Sequence, residues 1–186
     1  MALTFALFAA ALVAMVFIVA AFRPDQFTVT RSAVIATDQQ RLYAIISDLA
    51  NFDTWSPWSK LDTGMKKTLV EPTAGVGGSY AWDGNGNVGA GKLTIAGLQP
   101  VSEVRLDLDF LRPFAASNRV VFALVPKGEA TRVTWTMTGP VPILARVMHM
   151  FMDMDRLVGG QFEQGLANLQ ALAETQPGGD LPGIVV

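Results

Sequence analysis

Five period-two runs followed by one long helical pattern leave this chain few folds to choose from. Tyr80 and Trp82, then Leu93 and Ile95, then Val104, Leu106, Leu108 and Phe110 fall on alternate positions, as do Val120, Phe122 and Leu124, and Val133, Trp135 and Met137. Each set lies on one face of a strand. Arg105, Asp107 and Asp109 stand opposite in one run and Thr134, Thr136 and Thr138 in another, the pattern of a sheet with one solvated face. The connections at Asp83 to Asn87, Gln99 to Ser102, Arg112 to Ala116 and Lys127 to Glu129 are short enough for antiparallel neighbours. The sheet is therefore expected to be a meander. From Ile143 to Glu174 the period changes: Leu144, Val147, Met148, Phe151, Val158, Phe162, Leu166, Leu169 and Leu172 recur at three- and four-residue intervals. That stripe predicts one long helix with a single buried face. The fold class is α+β, a curved sheet gripping a C-terminal helix, and an apolar pocket is the natural by-product of the concave face.

Upstream, Phe27 to Ile35 alternates as a first strand, and Thr37 with Gln40 forms a capping-box pair at the start of a short helix running to about Leu49. Asn51 to Ser59 reads as a second short helix or turn, and Lys66 to Val70 as a weak strand. Gly159, Gly160 and Gly165 inside the helical pattern each cost about 1 kcal/mol relative to Ala, which predicts close approach to the sheet or room for a ligand.

From Ala2 to Phe22 no residue is charged, and at about 1.5 Å per residue the run covers the roughly 30 Å of a bilayer core. Residues 1–23 are expected to be a transmembrane anchor, 24–175 the folded domain and 176–186 a flexible tail. The rival for the first segment is a signal peptide cleaved near Val19, Ala20 and Ala21, but a basic n-region is missing and the apolar run is long. Arg23 and Arg31 follow the span and no Lys or Arg precedes it, a thin positive-inside signal that leans to a cytoplasmic domain.

A net charge of -2 with no basic run gives no electrostatic footprint for a nucleic-acid partner. The absence of cysteine removes disulfides, thiolate catalysis and zinc ribbons. Gly84-Asn85-Gly86-Asn87-Val88-Gly89 satisfies a dinucleotide glycine pattern in letters only. A strand follows it through Leu93-Thr94-Ile95, so no helix N-terminus meets a phosphate, and a glycine-rich hairpin is expected in place of a nucleotide site.

The run Asn51-Phe52-Asp53-Thr54-Trp55-Ser56-Pro57-Trp58, the later Gly77-Gly78-Ser79-Tyr80-Ala81-Trp82-Asp83-Gly84-Asn85, and Thr131-Arg132-Val133-Thr134-Trp135 together resemble the helix-grip, START-like SRPBCC superfamily. Within it they are most similar to bacterial members labelled polyketide cyclase or dehydrase, over roughly Phe27 to Glu174. The apolar segment followed by Arg23-Pro24 and a strand also resembles membrane-tethered members. The resemblance implies about seven antiparallel strands wrapped around the C-terminal helix, with a cavity for a lipid, sterol, polyketide or similar small molecule; no cofactor is expected.

Candidate ligand-pocket residues are Trp55, Trp58, Tyr80, Trp82, Phe110, Phe122, Trp135, Met137, Phe151 and Phe162, whose rings and polar edges suit an apolar ligand. His149 is the single histidine, and with Asp153 at i+4 and Arg156 close by it forms a weak candidate acid-base set. A solvated ion pair explains that trio more simply, and too few ligands surround it for a metal. Asp153 and Asp155 diverge on a helix, Asp107 and Asp109 face solvent beside Arg105, and of four alternating methionines only Met148 with Met152 and Met150 with Met154 share a face. Three functions are open on this basis. The leading one is a membrane-tethered binding or carrier domain for a hydrophobic molecule. The others are a cyclase or dehydratase working through His149, Asp153, Arg156 or Tyr80, and an envelope partner-binding protein without ligand.

Overall fold

The computed structural model describes residues 1–150 and 153–175, without the side chains of Leu3, Val13, His149 and Met154. The expected tail at 176–186, and Phe151 and Met152, lie outside the described residues. The chain opens with helix α1 (Ala2–Ala21) and strand β1 (Gln26–Ile35), followed by the short helices α2 (Gln39–Ser47) and α3 (Phe52–Trp55) with 3-10 turns at Leu49–Asn51 and Pro57–Lys60. Strands β2 (Lys66–Val70), β3 (Ser79–Asp83), β4 (Ala90–Gln99), β5 (Glu103–Arg112), β6 (Ala116–Lys127) and β7 (Ala130–Pro140) come next, then helices α4 (Ile143–His149) and α5 (Met154–Thr175).

All seven strands form one antiparallel sheet in the order β1-β7-β6-β5-β4-β3-β2. From β2 to β7 it is the expected meander, and β1 closes the far side by pairing with β7 along its whole length, from Gln26↔Pro140 to Ile35↔Thr131. The sheet curves around α5. Its inner face carries the alternating apolar set: Val104, Leu106, Val120, Phe122, Leu124, Val133 and Trp135 are all buried against Phe162, Leu166 and Leu169. Burial of side chains this large stabilises by roughly 1.5–3 kcal/mol each.

The C-terminal helix is not continuous. α4 stops at His149, where Met150 N–H bonds the Val147 carbonyl in a tightened turn, and α5 starts afresh at Met154. Asp153 causes the restart: its carboxylate accepts the Arg156 backbone N–H at 3.0 Å, the geometry of an N-cap, and such a side chain competes with helix propagation through its own position. The expected stripe therefore splits. Phe162, Leu166 and Leu169 grip the sheet, whereas Leu144 and Met148 are exposed.

Two further expectations are corrected. The N-cap of α2 is Asp38, whose carboxylate accepts the Arg41 N–H at 2.9 Å; Thr37 lies one residue earlier, buried, with its carbonyl accepting the Thr131 hydroxyl. On β5, Arg105 does not accompany Asp107 and Asp109. The β5–β6 register sets Asp107 opposite Arg119 and Asp109 opposite Ser117, so they pair across strands, at 3.8 Å and 2.6 Å, while Arg105 reaches Glu103 at 3.5 Å.

The helix glycines divide by what they face. At Gly165 a Cβ would fall 2.7 Å from the Trp135 ring and 3.2 Å from Pro57, so only glycine lets α5 press onto that indole. At Gly159 a Cβ would collide with the guanidinium of Arg31, which clamps α5 to β1 by donating from Nη1 and Nη2 to both Asp155 oxygens at 2.9 Å and from Nε to Glu163 at 2.6 Å. Gly160 faces open space. Gly160→Ala is accordingly expected to stabilise the domain by up to about 1 kcal/mol through helix propensity, and Gly165→Ala to destabilise it by about 1–3 kcal/mol through overpacking. Urea unfolding of the full chain in detergent, followed by circular dichroism, checks both signs; equal effects at the two positions would contradict the close approach at Trp135.

Candidate functional site

The inner face of the sheet is paved with rings. Trp135 on β7 stacks on Phe162 of α5, centroids 4.1 Å apart and planes 9° from parallel, and lies 4.8 Å from Phe122 on β6. α3 and the following turn drape over this pair: Trp55 meets Trp135 edge-on at 5.6 Å and Phe122 at 5.8 Å, and Trp58 meets Trp135 at 5.9 Å and Phe162 at 6.3 Å. The chain of contacts continues outward through Phe52 to Tyr80 at 5.3 Å, Tyr80 to Trp82 at 6.4 Å and Trp82 to Phe110 at 5.9 Å. T-shaped and offset arrangements of this kind bring the positive edge of one ring to the negative face of the next.

Trp55, Trp58, Tyr80, Trp82, Phe110, Phe122, Trp135 and Phe162 thus share one continuous ring network, and Met137 is buried in the same core. Exposure is graded along it. Trp55, Phe122, Trp135 and Phe162 are sealed at 1–3% exposure, while Trp58, Trp82, Phe110 and the neighbouring Leu108 are only partly buried. The gradient has a direction. The end of the sheet where β1 finishes is closed by α2, whose Gln39 side chain donates to the Leu124 carbonyl, and Val104, Leu106, Leu124, Val133 and Ile35 there are at most 2% exposed. Of the partly open rings, Trp82 and Phe110 lie toward the other end, where β1 begins.

Polar groups on this face are few. The indole N–H of Trp82 donates to the Val88 carbonyl at 3.1 Å, but the indole N–H groups of Trp55 and Trp135 and the hydroxyl of Ser56 are buried without a partner among the described residues. An unmatched buried donor costs about 1–3 kcal/mol. Asn118 is buried on the same face, close against Gly139, where a side chain would displace its amide.

Beside the rings sits a cluster that the linear sequence does not announce. Asp53 on α3 accepts hydrogen bonds from Ser59 Oγ at 2.7 Å and Tyr80 Oη at 2.8 Å on one oxygen, and pairs with Lys67 Nζ at 2.8 Å on the other. Burial alone would raise the Asp53 pKa, but hydrogen bonds from Lys67, Ser59 and Tyr80 outweigh it and hold the carboxylate below its ordinary value. Burial and the adjoining carboxylate push ionisation of Tyr80 far above the ordinary phenol range. Tyr80 is thereby fixed as a neutral donor to Asp53, and the pair pins α3 to β3 and β2. Only folding brings Asp53, Lys67 and Tyr80 together; the one available sign was a lone carboxylate set among aromatics in 52–58.

Of the histidine set, His149 is the last residue of α4 and Asp153 caps α5. Arg156 is exposed, and the His149 side chain lies outside the described residues. Gly84 to Gly89 forms the β3–β4 hairpin, with Asp62 accepting the Asn85 N–H at 2.8 Å.

Because the Asp53 pKa is lowered by folding, its contribution to stability is complete above the ordinary carboxylate pKa and disappears as pH falls through the lower native value. Asp53→Asn is expected to cost about 1–2 kcal/mol at neutral pH, as for a charge-assisted hydrogen-bond set, and progressively less below about pH 4. Chemical unfolding as a function of pH checks this; a cost independent of pH would mean that the carboxylate charge is not what matters.

The family described as polyketide cyclase / dehydrase and lipid transport matches residues 26–174. Solved structures share the fold at low identity. A Chromobacterium violaceum protein is 20% identical with a TM-score of 0.57, covering 81% of this chain and 99% of its own. Norcoclaurine synthase from Thalictrum flavum, in complex with dopamine and hydroxybenzaldehyde, has a TM-score of 0.62 at 9% identity, covering 83% of this chain and 90% of its own. The di-domain ARO/CYC StfQ of the steffimycin biosynthetic pathway has a TM-score of 0.58 at 11% identity, and 81% of this chain covers 51% of that one. No curated protein matches the chain. The seven-stranded sheet around a C-terminal helix and the match across 26–174 place this chain in the polyketide cyclase / dehydrase and lipid transport family, a helix-grip member of the SRPBCC superfamily.

Proposed function

We propose that this protein is a membrane-tethered binding or carrier domain for a small, predominantly apolar molecule carrying one or two hydrogen-bond acceptors. The observation that carries the reading is the pair of buried indole N–H groups, Trp55 and Trp135, without an acceptor among the described residues, in a bed made largely of apolar faces. An apolar body satisfies the rings, and a carbonyl, hydroxyl or ether oxygen satisfies the donors. Ligand contact is assigned to the half-open rings Trp58, Trp82 and Phe110, with Trp55, Phe122, Trp135, Met137 and Phe162 as the floor beneath them.

A binding role needs no group that titrates near neutrality, and the polar cluster is built accordingly. Asp53 stays ionised and Tyr80 stays protonated across the physiological range. That favours holding a ligand over general acid-base work by Tyr80, the cyclase route that the sequence left open. Tethering is ascribed to α1, whose stretch Thr4–Ala21 is long and apolar enough to cross a membrane and is almost wholly exposed. A carrier anchored beside the bilayer exchanges apolar ligands without passing them through water.

Native mass spectrometry of the full chain, extracted gently from its own membrane, is the direct test, with extraction and identification of any retained compound. A defined small molecule is expected. Trp135→Phe keeps the ring and deletes the donor, so affinity for that compound should fall about tenfold, the loss of roughly one hydrogen bond. A bare protein with no thermal shift across fatty acids, sterols and aromatic polyketides would refute the reading. Dopamine and hydroxybenzaldehyde belong in that panel because norcoclaurine synthase was captured with them.

A further inference from the structure

The register of the sheet gathers several unexplained apolar groups at one end. Gln26 pairs with Pro140, Arg119 with Thr138 and Phe110 with Ala116, so the starts of β1 and β6 and the ends of β5 and β7 lie side by side. α1 arrives at this end and α4 leaves from it, the two helices packing together, with Arg146 Nη1 donating to the Ala21 carbonyl at 3.4 Å. Neighbouring strands are about 4.8 Å apart, so the β5–β6 hairpin lies one to two strand spacings from β7.

On this end Ile143, Leu144 and Met148 of α4 are exposed by 42%, 65% and 44%, and Phe114 at the hairpin tip by 71%. Residues 143, 144, 147 and 148 form one helical stripe; 144, 147 and 148 belong to the stripe that the sequence assigned to the core, and the end of α4 before α5 turns them outward. Between α1, β1 and α4 opens a cleft of about 170 Å³ with Arg23 and Arg146 on its walls and Phe27, Val141 and Met150 among its apolar lining. Neither arginine has a carboxylate partner among the described residues; Arg146 bonds only the Val141 and Ala21 carbonyls. Asp25 is near in sequence, but what it contributes here is its backbone carbonyl, to the Val141 N–H.

We propose that this end of the domain is a second membrane contact, in which the α4 stripe and Phe114 lie in the interfacial layer and Arg23 and Arg146 hold the phosphate of an anionic phospholipid in the cleft. The occupant follows from continuity: the cleft begins one residue after the exposed Phe22, where α1 would emerge from the bilayer, so lipid headgroups are the molecules at that depth. A short helix with an apolar face lies in the plane of such an interface, and arginine stems reach up to phosphate from apolar surroundings. The half-open rings Trp82 and Phe110 belong to the same end, so docking turns the open part of the ring network toward the bilayer.

The inference rests on α1 being a membrane span, and the test separates the two. The chain has no cysteine, so single cysteines carrying an environment-sensitive dye can be placed at Leu12 in α1, at Leu144, at Phe114 and, as a control on the opposite end, at Val125. The full chain is reconstituted in phosphatidylcholine, alone or mixed with phosphatidylglycerol, with nitroxide-labelled lipids as shallow or deep quenchers. Leu12 is expected to respond to the deep quencher, Leu144 and Phe114 to the shallow one, and Val125 to neither. Arg23→Gln and Arg146→Gln should each lower the docked-to-undocked ratio about fivefold, only when phosphatidylglycerol is present. Quenching at Leu12 with Leu144 and Phe114 as unresponsive as Val125 would overturn the proposal and leave the anchor standing. No quenching at Leu12 would remove the anchor and the proposal with it. Docking that is indifferent to both arginines would overturn the headgroup site.

Discussion

The contact on which this molecule depends is the stack of Phe162 on Trp135, with Gly165 allowing the helix backbone to lie against the same indole. It fixes the distance from α5 to β7, and hence the curvature the sheet must adopt to reach around the helix. The other restraints on α5 act along its length: the Arg31 clamp to Asp155 and Glu163 near the start, the Asn168 amide donating to the Trp55 carbonyl in the middle, and Glu174 accepting the Ala36 N–H near the end. A helix held at three levels against a curved sheet leaves α3 and its neighbouring turn as the remaining wall, and Trp55 and Trp58 close it over the stacked pair.

That arrangement separates rigidity from access. The α2 end of the sheet is closed, whereas the rings beyond Tyr80 are only partly buried. The polar cluster on Asp53 stands at the boundary and is fully occupied in holding α3 to β2 and β3. Its three bonds keep the carboxylate charged and the phenol neutral, which suits a structural pin. The binding proposal draws on the indole N–H groups of Trp55 and Trp135, the ring donors that the described residues leave unmatched.

The strands were legible in the sequence because period-two alternation is a local signal: a residue's face is decided by its immediate neighbours. The ring residues followed from the same reading, since Phe122 and Trp135 occupy the apolar phase of β6 and β7. What was not legible depends on pairings between distant segments. The partners of Asp107 and Asp109 are set by the β5–β6 register, and Lys67 and Tyr80 reach Asp53 only after β2, β3 and α3 have come together. Helix periodicity also failed to report that α4 ends at His149 and α5 begins at Met154. A stripe of apolar residues is blind to a cap, and Asp153 spends its side chain on the backbone of the helix that follows.

The break has a consequence for how one apolar pattern serves two surroundings. Had the helix run straight through, Leu144 and Met148 would continue the line of Phe162 and Leu166 and compete for the same sheet. Stopping at His149 releases α4 from that line, and packing against α1 holds it at the sheet end where β1 begins. The cost is several large apolar side chains facing outward, which a protein surrounded only by water gains nothing by displaying. A bilayer surface reverses that sign, because burying the same stripe beside α1 becomes favourable. The proposed second contact and the proposed tether would thus support one another: a span at α1 would supply the local membrane, and α4 with the two arginines would fix how the domain stands on it.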